Sequence, residues 1–259
     1  LYQLALSRRE ESPLIGDLAI LTKEEVAQQF PGLQGFEKLL YASGGAHVEG
    51  ALLTETLLKA SGARVIKEEV ALSVSDHGYQ IAGESYDQVI LATGAWLGQI
   101  LEPLGYQVDV RPQKGQLRDY QLDRDTDDFP VVMPEGELDI IPFQQGKISM
   151  GATHENEMGF DLTVDQALLN QMEIEALAYY PELAQAEVIG ERVGTRAYTS
   201  DFSPFWGVVP DQAGLYVASG LGSSGLTTGP LIGWHLAQLV VGGNLRLDPA
   251  DYPVEQYVK

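Results

Sequence analysis

A mixed α/β (α+β) fold, in which a β-rich portion interrupts an α/β portion, is what the 259-residue sequence predicts. Three observations carry this. Helical patterns alternate with apolar β-type runs up to about residue 105. Strand-like segments separated by turn residues then fill roughly 106–150, and a strand–glycine loop–helix sequence closes the chain.

Thr22-Lys-Glu-Glu25 is a capping-box pattern that opens a short helix, and Pro31-Gly32 stops it. "EGALLTETLLKASGARVIKEEV" reads as a helix ending at Gly62, then a strand from about Arg64. In "VALSVSDHGYQIAGESYDQVILATGAW", short strands join at Asp76-His77-Gly78. An apolar run over 88–91 then halts at Ala92-Thr93-Gly94. "YQVDVRPQKGQLRDYQL", "FPVVMP", "LDIIPF" and "KISMGAT" have the texture of an antiparallel sheet. Thr163-Val-Asp-Gln166 caps a helix to about Tyr180, closed by Pro181; "EVIGERVGTRAY" and "LYVAS" are strands, and 230–241 is the last long helix.

Composition narrows the partners. With 37 acidic against 16 basic residues, the net charge of −21 repels phosphate backbones and anionic membranes, so neither nucleic acid nor a lipid surface is expected. Absence of cysteine removes disulfides, thiolate metal sites and a cysteine nucleophile. The histidines His47, His77, His154 and His235 lack ligand spacing, and no metal is expected. No apolar run reaches the roughly 20 residues of a membrane span, and no signal peptide opens the chain, so the expectation is a cytoplasmic protein. A homo-oligomer is compatible with the sequence.

Gly220-Leu-Gly-Ser-Ser-Gly225 spells G-x-G-x-x-G between a strand and a helix. Its glycines would let backbone N–H groups approach a ligand, and the helix behind would add a partial positive charge. A Rossmann turn needs a further strand with an acidic end about 20 residues on, then more βα units. Only a short tail remains here, so the loop is not the primary pyrophosphate site of a complete fold. Taken alone, it serves equally as a packing turn.

Three ordered segments resemble the D-amino-acid-oxidase-like family of FAD-dependent oxidoreductases, which includes glycine oxidase and sarcosine oxidase. They are "DQVILATGAWLGQILEPLG", "VRPQKGQL" and "VGTRAYTSDFSPFWGVVPDQAGLYVASGLGSSGLTTGPLIGWHLAQLVVG"; "GGAHVEGALLTETLLKASGARV" and "KISMGATHENEMGFD" fit at their places. The resemblance implies a truncated FAD-binding domain, 46–105 with 197–259, interleaved with an antiparallel-sheet substrate domain, 1–45 with 106–196. It also implies an N-terminal βαβ unit ahead of Leu1, where the opening "LYQLALSRREES" has neither an initiator Met nor a strand.

Residue by residue, the resemblance implies FAD contacts at Val70, at Ala92, Thr93 and Gly94, and at Gly220, Gly222, Ser223, Ser224, Gly225, Leu226 and Thr227. Val70 reads equally as an apolar strand residue. Arg196, in "GTRAYTSDFSP", stands where the family's arginine binds the substrate carboxylate, a fit to planar two-point hydrogen bonding; Ala197 replaces the usual proline. His154, in "GATHE", stands where the family often faces the flavin and is the candidate catalytic residue, against the reading of a satisfied histidine. His47, His77 and His235 read as turn or surface residues, Trp96 as core, and Arg111 as a structural or domain-interface residue, with a flavin-side position as the alternative. Some members place a basic residue in the 220s loop; Ser223, Ser224 and Thr227 stand here instead.

The implied activity is oxidation of a small amine or amino acid by hydride transfer to flavin. The alternatives are 2-hydroxy-acid oxidation on the same scaffold, or a flavin-free fragment or non-catalytic subunit. A serine hydrolase using Ser223 or Ser224 lacks the G-x-S-x-G elbow.

Overall fold

The computed structural model describes residues 2–76 and 78–259, with Pro13 lacking a described side chain; the expected turn at His77 therefore lies outside the described residues. In chain order the elements are α1 (Tyr2–Glu11), β1 (Leu18–Leu21), α2 (Lys23–Gln29), β2 (Leu39–Ala42), α3 (Gly50–Ser61) and β3 (Leu72–Ser75). Then come β4 (Gly78–Ile81), β5 (Glu84–Tyr86), β6 (Val89–Leu91), α4 (Leu97–Leu101), β7 (Arg111–Gln121), β8 (Asp139–Pro142) and β9 (Lys147–Gly151). The chain continues through α5 (Gln166–Tyr179), β10 (Glu187–Tyr198), β11 (Phe205–Val208), β12 (Leu215–Ser219), α6 (Gly225–Val241) and α7 (Val254–Tyr257). They divide into two compact units: residues 1–48, 115–154 and 162–194, and residues 49–114, 155–161 and 195–259.

The first unit is built on the sheet β10-β7-β9-β8, whose β9 pairs antiparallel with β7 (Leu117↔Gly151 to Gln121↔Lys147) and with β8. Alternation along these strands delivers Tyr120, Leu122, Ile140, Ile148 and Met150 to one core, and α5 meets them with Leu169, Met172 and Ala176. Each such large apolar side chain contributes about 1.5–3 kcal/mol on burial. The Thr22 capping box forms as the sequence predicts, and α2 ends at buried Phe30. The cap of α5 is Asp165 rather than Thr163. Its carboxylate accepts from the N–H groups of Ala167 and Leu168 at 2.9 and 3.1 Å, which satisfies two first-turn donors together.

Charged side chains are also buried in this unit, and they are paired. Asp119 on β7 accepts from Arg192 Nε and Nη2, each at 2.9 Å, and from Ser149 Oγ. Burial pushes its carboxyl up, but these hydrogen bonds and the charges of Arg192 and Lys147 together hold it below its ordinary value. A depressed carboxylate stabilises the fold above its unfolded value, about 4, and that share is lost as pH falls through the folded value. Acid unfolding of Asp119→Asn, followed below about pH 4, is expected to depend less steeply on pH than that of the parent. Equal slopes would contradict this.

The second unit holds an antiparallel meander, β3-β4-β5, and a sheet β11-β12-β6 in which β12 runs parallel to β6 and antiparallel to β11. Leu72, Tyr79, Val89, Leu91, Leu97, Leu101, Leu215 and Val217 share its main core. A smaller cluster seats α6, through Ile232 and Leu236, on Trp206 and Ala218. The strand expected from Arg64 does not form. Residues 64–70 are irregular and exposed, and the strand begins at Leu72, the first residue of that stretch with a buried apolar contact. Helix α6 begins at Gly225, so Pro230 lies inside it, six residues into the helix, where it removes a single intrahelical donor. "FPVVMP" forms no strand and contributes one isolated bridge, Val132↔Ile140. No helix among the described residues is long and apolar enough to cross a membrane.

Candidate functional site

Strands β6 and β12 are parallel and in register at Leu91↔Val217, so their C-terminal ends leave the sheet at one edge. Loops that bind ligands in α/β sheets gather at such edges. Here the edge brings Ala92-Thr93-Gly94 beside the glycine loop, and Ser219 Oγ ties them by donating to the Gly94 carbonyl at 3.0 Å. Thr93 Oγ1 is buried and has no hydrogen-bond partner among the described residues.

Three left-handed glycines at this edge have different reasons to be glycine. At Gly220 (φ 74°) a Cβ would stand 2.8 Å from the Ser203 carbonyl oxygen and 3.0 Å from a Thr199 methyl, so close packing excludes a side chain. At Gly222 (φ 51°) the nearest atom would be the Ala197 carbonyl oxygen, 3.9 Å away, and at Gly94 (φ 55°) nothing lies within 4 Å. Those two backbones face open space. Ser223 forms a single turn with Gly222 and Ser224, and α6 follows through Gly225, Leu226 and Thr227. Ser224, the N-cap, turns its hydroxyl back to Leu221 O at 2.8 Å, so no side chain caps the 17-residue helix. Its first N–H groups and the positive end of its dipole are presented to whatever occupies the edge.

Near the end of β10, Thr195, Arg196 and Ala197 belong to the same unit, with Ala197 adjoining Gly222. Thr195 Oγ1 is a second buried hydroxyl without a partner among the described residues. Half-buried Arg196 donates from Nη1 to Gln113 Oε1 at 3.3 Å, and Gln113 Nε2 donates to Asn156 Oδ1 at 2.7 Å. Sequence reasoning missed Thr195, Gln113 and Asn156. The signal available for Gln113 was a polar side chain in a strand; its partners stand 83 and 43 residues away and carry no motif.

The other candidates are placed differently. His154 belongs to the first unit, where its Nδ1 lies 3.2 Å from Glu137 Oε2. Asp139 on β8 has its carboxyl pushed up by burial, an effect the nearby His154 charge partly offsets. Val70 sits in the exposed irregular run before β3, 41% exposed, and no strand carries it. Trp96 is not core. It is 44% exposed, stacked on Phe160 at 4.9 Å, because the turn at 94–96 aims it outward. Arg111 is exposed, with its guanidinium 5.3 Å from the Tyr198 ring centre. His47 is exposed against Phe143. His235, expected at a turn or the surface, is fully buried in α6 beside Trp206, because the apolar stripe of that helix runs through it.

Comparison with known proteins locates this architecture. Residues 2–239 match the family model described as FAD dependent oxidoreductase. The oxidoreductase YurR of Bacillus subtilis (strain 168) is 41% identical over 96% of this chain and 69% of its own length. A glycine oxidase of Pseudomonas aeruginosa is 32% identical over 88% of this chain and 65% of its own. The crystal structure of iminodiacetate oxidase (IdaA) from Chelativorans sp. BNC1 superposes with a TM-score of 0.91 at 34% identity, covering 95% of this chain and 69% of that one. The chain thus spans about two thirds of the length of the relatives it matches. On the shared strand edge and on these matches, the chain belongs to the FAD dependent oxidoreductase family.

Proposed function

We propose that this chain serves the FAD-dependent oxidation of a C–N bond in a small amino acid carrying a primary or secondary amine, with Arg196 as the carboxylate anchor. The observation that carries the reading is the edge where β6 and β12 end together beside the uncapped α6, with Arg196 next to the residue that adjoins Gly222. The similarity to a glycine oxidase and an iminodiacetate oxidase supports the same class of small carboxylated amines.

The residues present fit a flavin. Two buried hydroxyls, Thr93 Oγ1 and Thr195 Oγ1, have no protein partner among the described residues, and the Gly94 and Gly222 backbones face space that a Cβ would enter. FAD, when bound, supplies acceptance of a hydride from the substrate carbon. The chain's own groups do the rest. Gly94 and Gly222 would let main chain approach a bound flavin, and the α6 N-terminus would favour negative charge on it. Arg196 orients the substrate through its carboxylate. His154, whose Nδ1 faces Glu137, is the candidate that the first unit offers for handling a proton of the substrate amine.

The test is an anaerobic substrate screen on the FAD-loaded protein, following the flavin band at roughly 450 nm. Glycine, sarcosine and iminodiacetate are expected to bleach it, whereas glycolate and lactate leave it intact. Bleaching by the hydroxy acids alone would move the reading to C–O oxidation, and bleaching by none would leave a non-catalytic flavoprotein.

A further inference from the structure

We infer that Gln113 and Asn156 are positioning residues that set the orientation of the Arg196 guanidinium and hence the affinity for the substrate carboxylate. This rests on the reading of Arg196 as the anchor. Gln113 is 7% exposed, at the start of β7, and neighbouring β10 carries Arg196. A primary amide has an acceptor end and a donor end, and only the acceptor can face a guanidinium. Asn156 supports that orientation from the far side. Its Oδ1 accepts from Gln113 Nε2 at 2.7 Å, which turns Gln113 Oε1 to Arg196 Nη1 at 3.3 Å. The reverse amide orientation would set NH2 against the guanidinium and lose both hydrogen bonds.

Asn156 is itself held in place from the same unit. Lys114 and Glu155 form an antiparallel bridge, with main-chain hydrogen bonds of 3.0 and 2.9 Å. Buried Lys114 adds an ion pair to Glu155 at 3.5 Å, and Phe160 stacks on Trp96 farther along the segment. The short stretch Glu155–Asp161 is thus pinned at both ends to the unit that contains Arg196. Pinning fixes the Asn156–Gln113–Arg196 chain before substrate arrives, and preorganised donors bind carboxylates more tightly than mobile ones.

The test titrates acetate into the FAD-loaded protein by calorimetry, with KM and kcat measured beside it. Gln113→Glu sets a competing carboxylate on Arg196 and is expected to weaken acetate about tenfold or more. Asn156→Ala, which frees the Gln113 amide to turn, is expected to weaken it about three- to tenfold. Asn156→Asp keeps an acceptor opposite Gln113 Nε2 and is expected to restore most of that loss. In turnover KM rises with kcat little changed, and on an Arg196→Ala background both effects vanish. Unchanged acetate affinity in Gln113→Glu and Asn156→Ala, or equal losses on the Arg196→Ala background, would overturn the inference. If Arg196→Ala alone leaves acetate affinity unchanged, the anchor itself is misassigned.

Discussion

Arg196→Ala is expected to lower kcat/KM for an amino-acid substrate by about 10²–10³, chiefly through KM, while FAD stays bound. A charge-assisted two-point contact to a carboxylate in a partly buried site is worth about 2–5 kcal/mol, and each 1.4 kcal/mol is tenfold. Arg196→Lys should recover only part, since an ammonium cannot match the planar fork. The retained flavin matters as much as the lost affinity. Arg196 is assigned to the substrate carboxylate, whereas the flavin contacts proposed come from the ends of β6 and β12 and the start of α6, with Thr195 alone on β10. Loss of FAD in Arg196→Ala, with the fold intact, would show that the arginine belongs to the cofactor.

The largest stability effect is expected at Arg118. It is 4% exposed and ties β7 to α5 and β10. Nη1 donates to Glu173 at 2.6 Å, Nε to Glu191 at 2.9 Å, and Nη2 to Gln166 and Asn170, each at 3.0 Å. Arg118→Ala leaves the carboxylates of Glu173 and Glu191 without their cation, and breaking a buried pair in this way costs about 3–5 kcal/mol. Burial, helped by the negative charge of Glu173, also pushes neighbouring Tyr120 up to about 12, so the phenol stays neutral beside the two carboxylates. Urea unfolding of the two proteins checks this, and a loss below about 1 kcal/mol would place the network with weak surface pairs.

Much of the fold was legible because local chemistry fixed it. The Thr22 box, the end of α3 at Gly62 and the strand break at Ala92-Thr93-Gly94 each depend on residues within a few positions of one another. Where two local signals competed, the surroundings chose. Asp165 took the cap from Thr163 because its carboxylate reaches two N–H groups, and Pro230 was absorbed into α6 because only one donor is lost. The irregular run 64–70 shows the opposite limit. Its apolar residues have β propensity, but the structure gives them no sheet to join, and strand formation depends on neighbours more than on propensity.

The site divides the same way. The glycine loop was legible as a place where main chain can approach a ligand, but its spelling ran together two different needs. Gly220 is glycine for packing against Ser203, and Gly222 for an open backbone. Which glycine does which follows from β10 and the segment that links it to β11, and neither is visible in the loop's own sequence. Gln113 and Asn156 were out of reach for a related reason, since the meaning of a buried amide lies wholly in partners that the fold brings from elsewhere.

The central claim is that a flavin lies at the edge shared by β6 and β12. Titration of FAD into the protein, followed by its visible absorbance and run in parallel with Gly94→Ala, tests it most directly. The added methyl would enter the open space beside Gly94 (φ 55°), where no protein atom lies within 4 Å. The left-handed backbone costs about 1–2 kcal/mol of stability for a non-glycine residue. The account predicts saturable binding of one FAD to the parent protein. In Gly94→Ala it predicts at least about tenfold weaker binding, because a methyl in that space competes with the ring system. Equal affinity for FAD in the two folded proteins, or no binding by either, would contradict it.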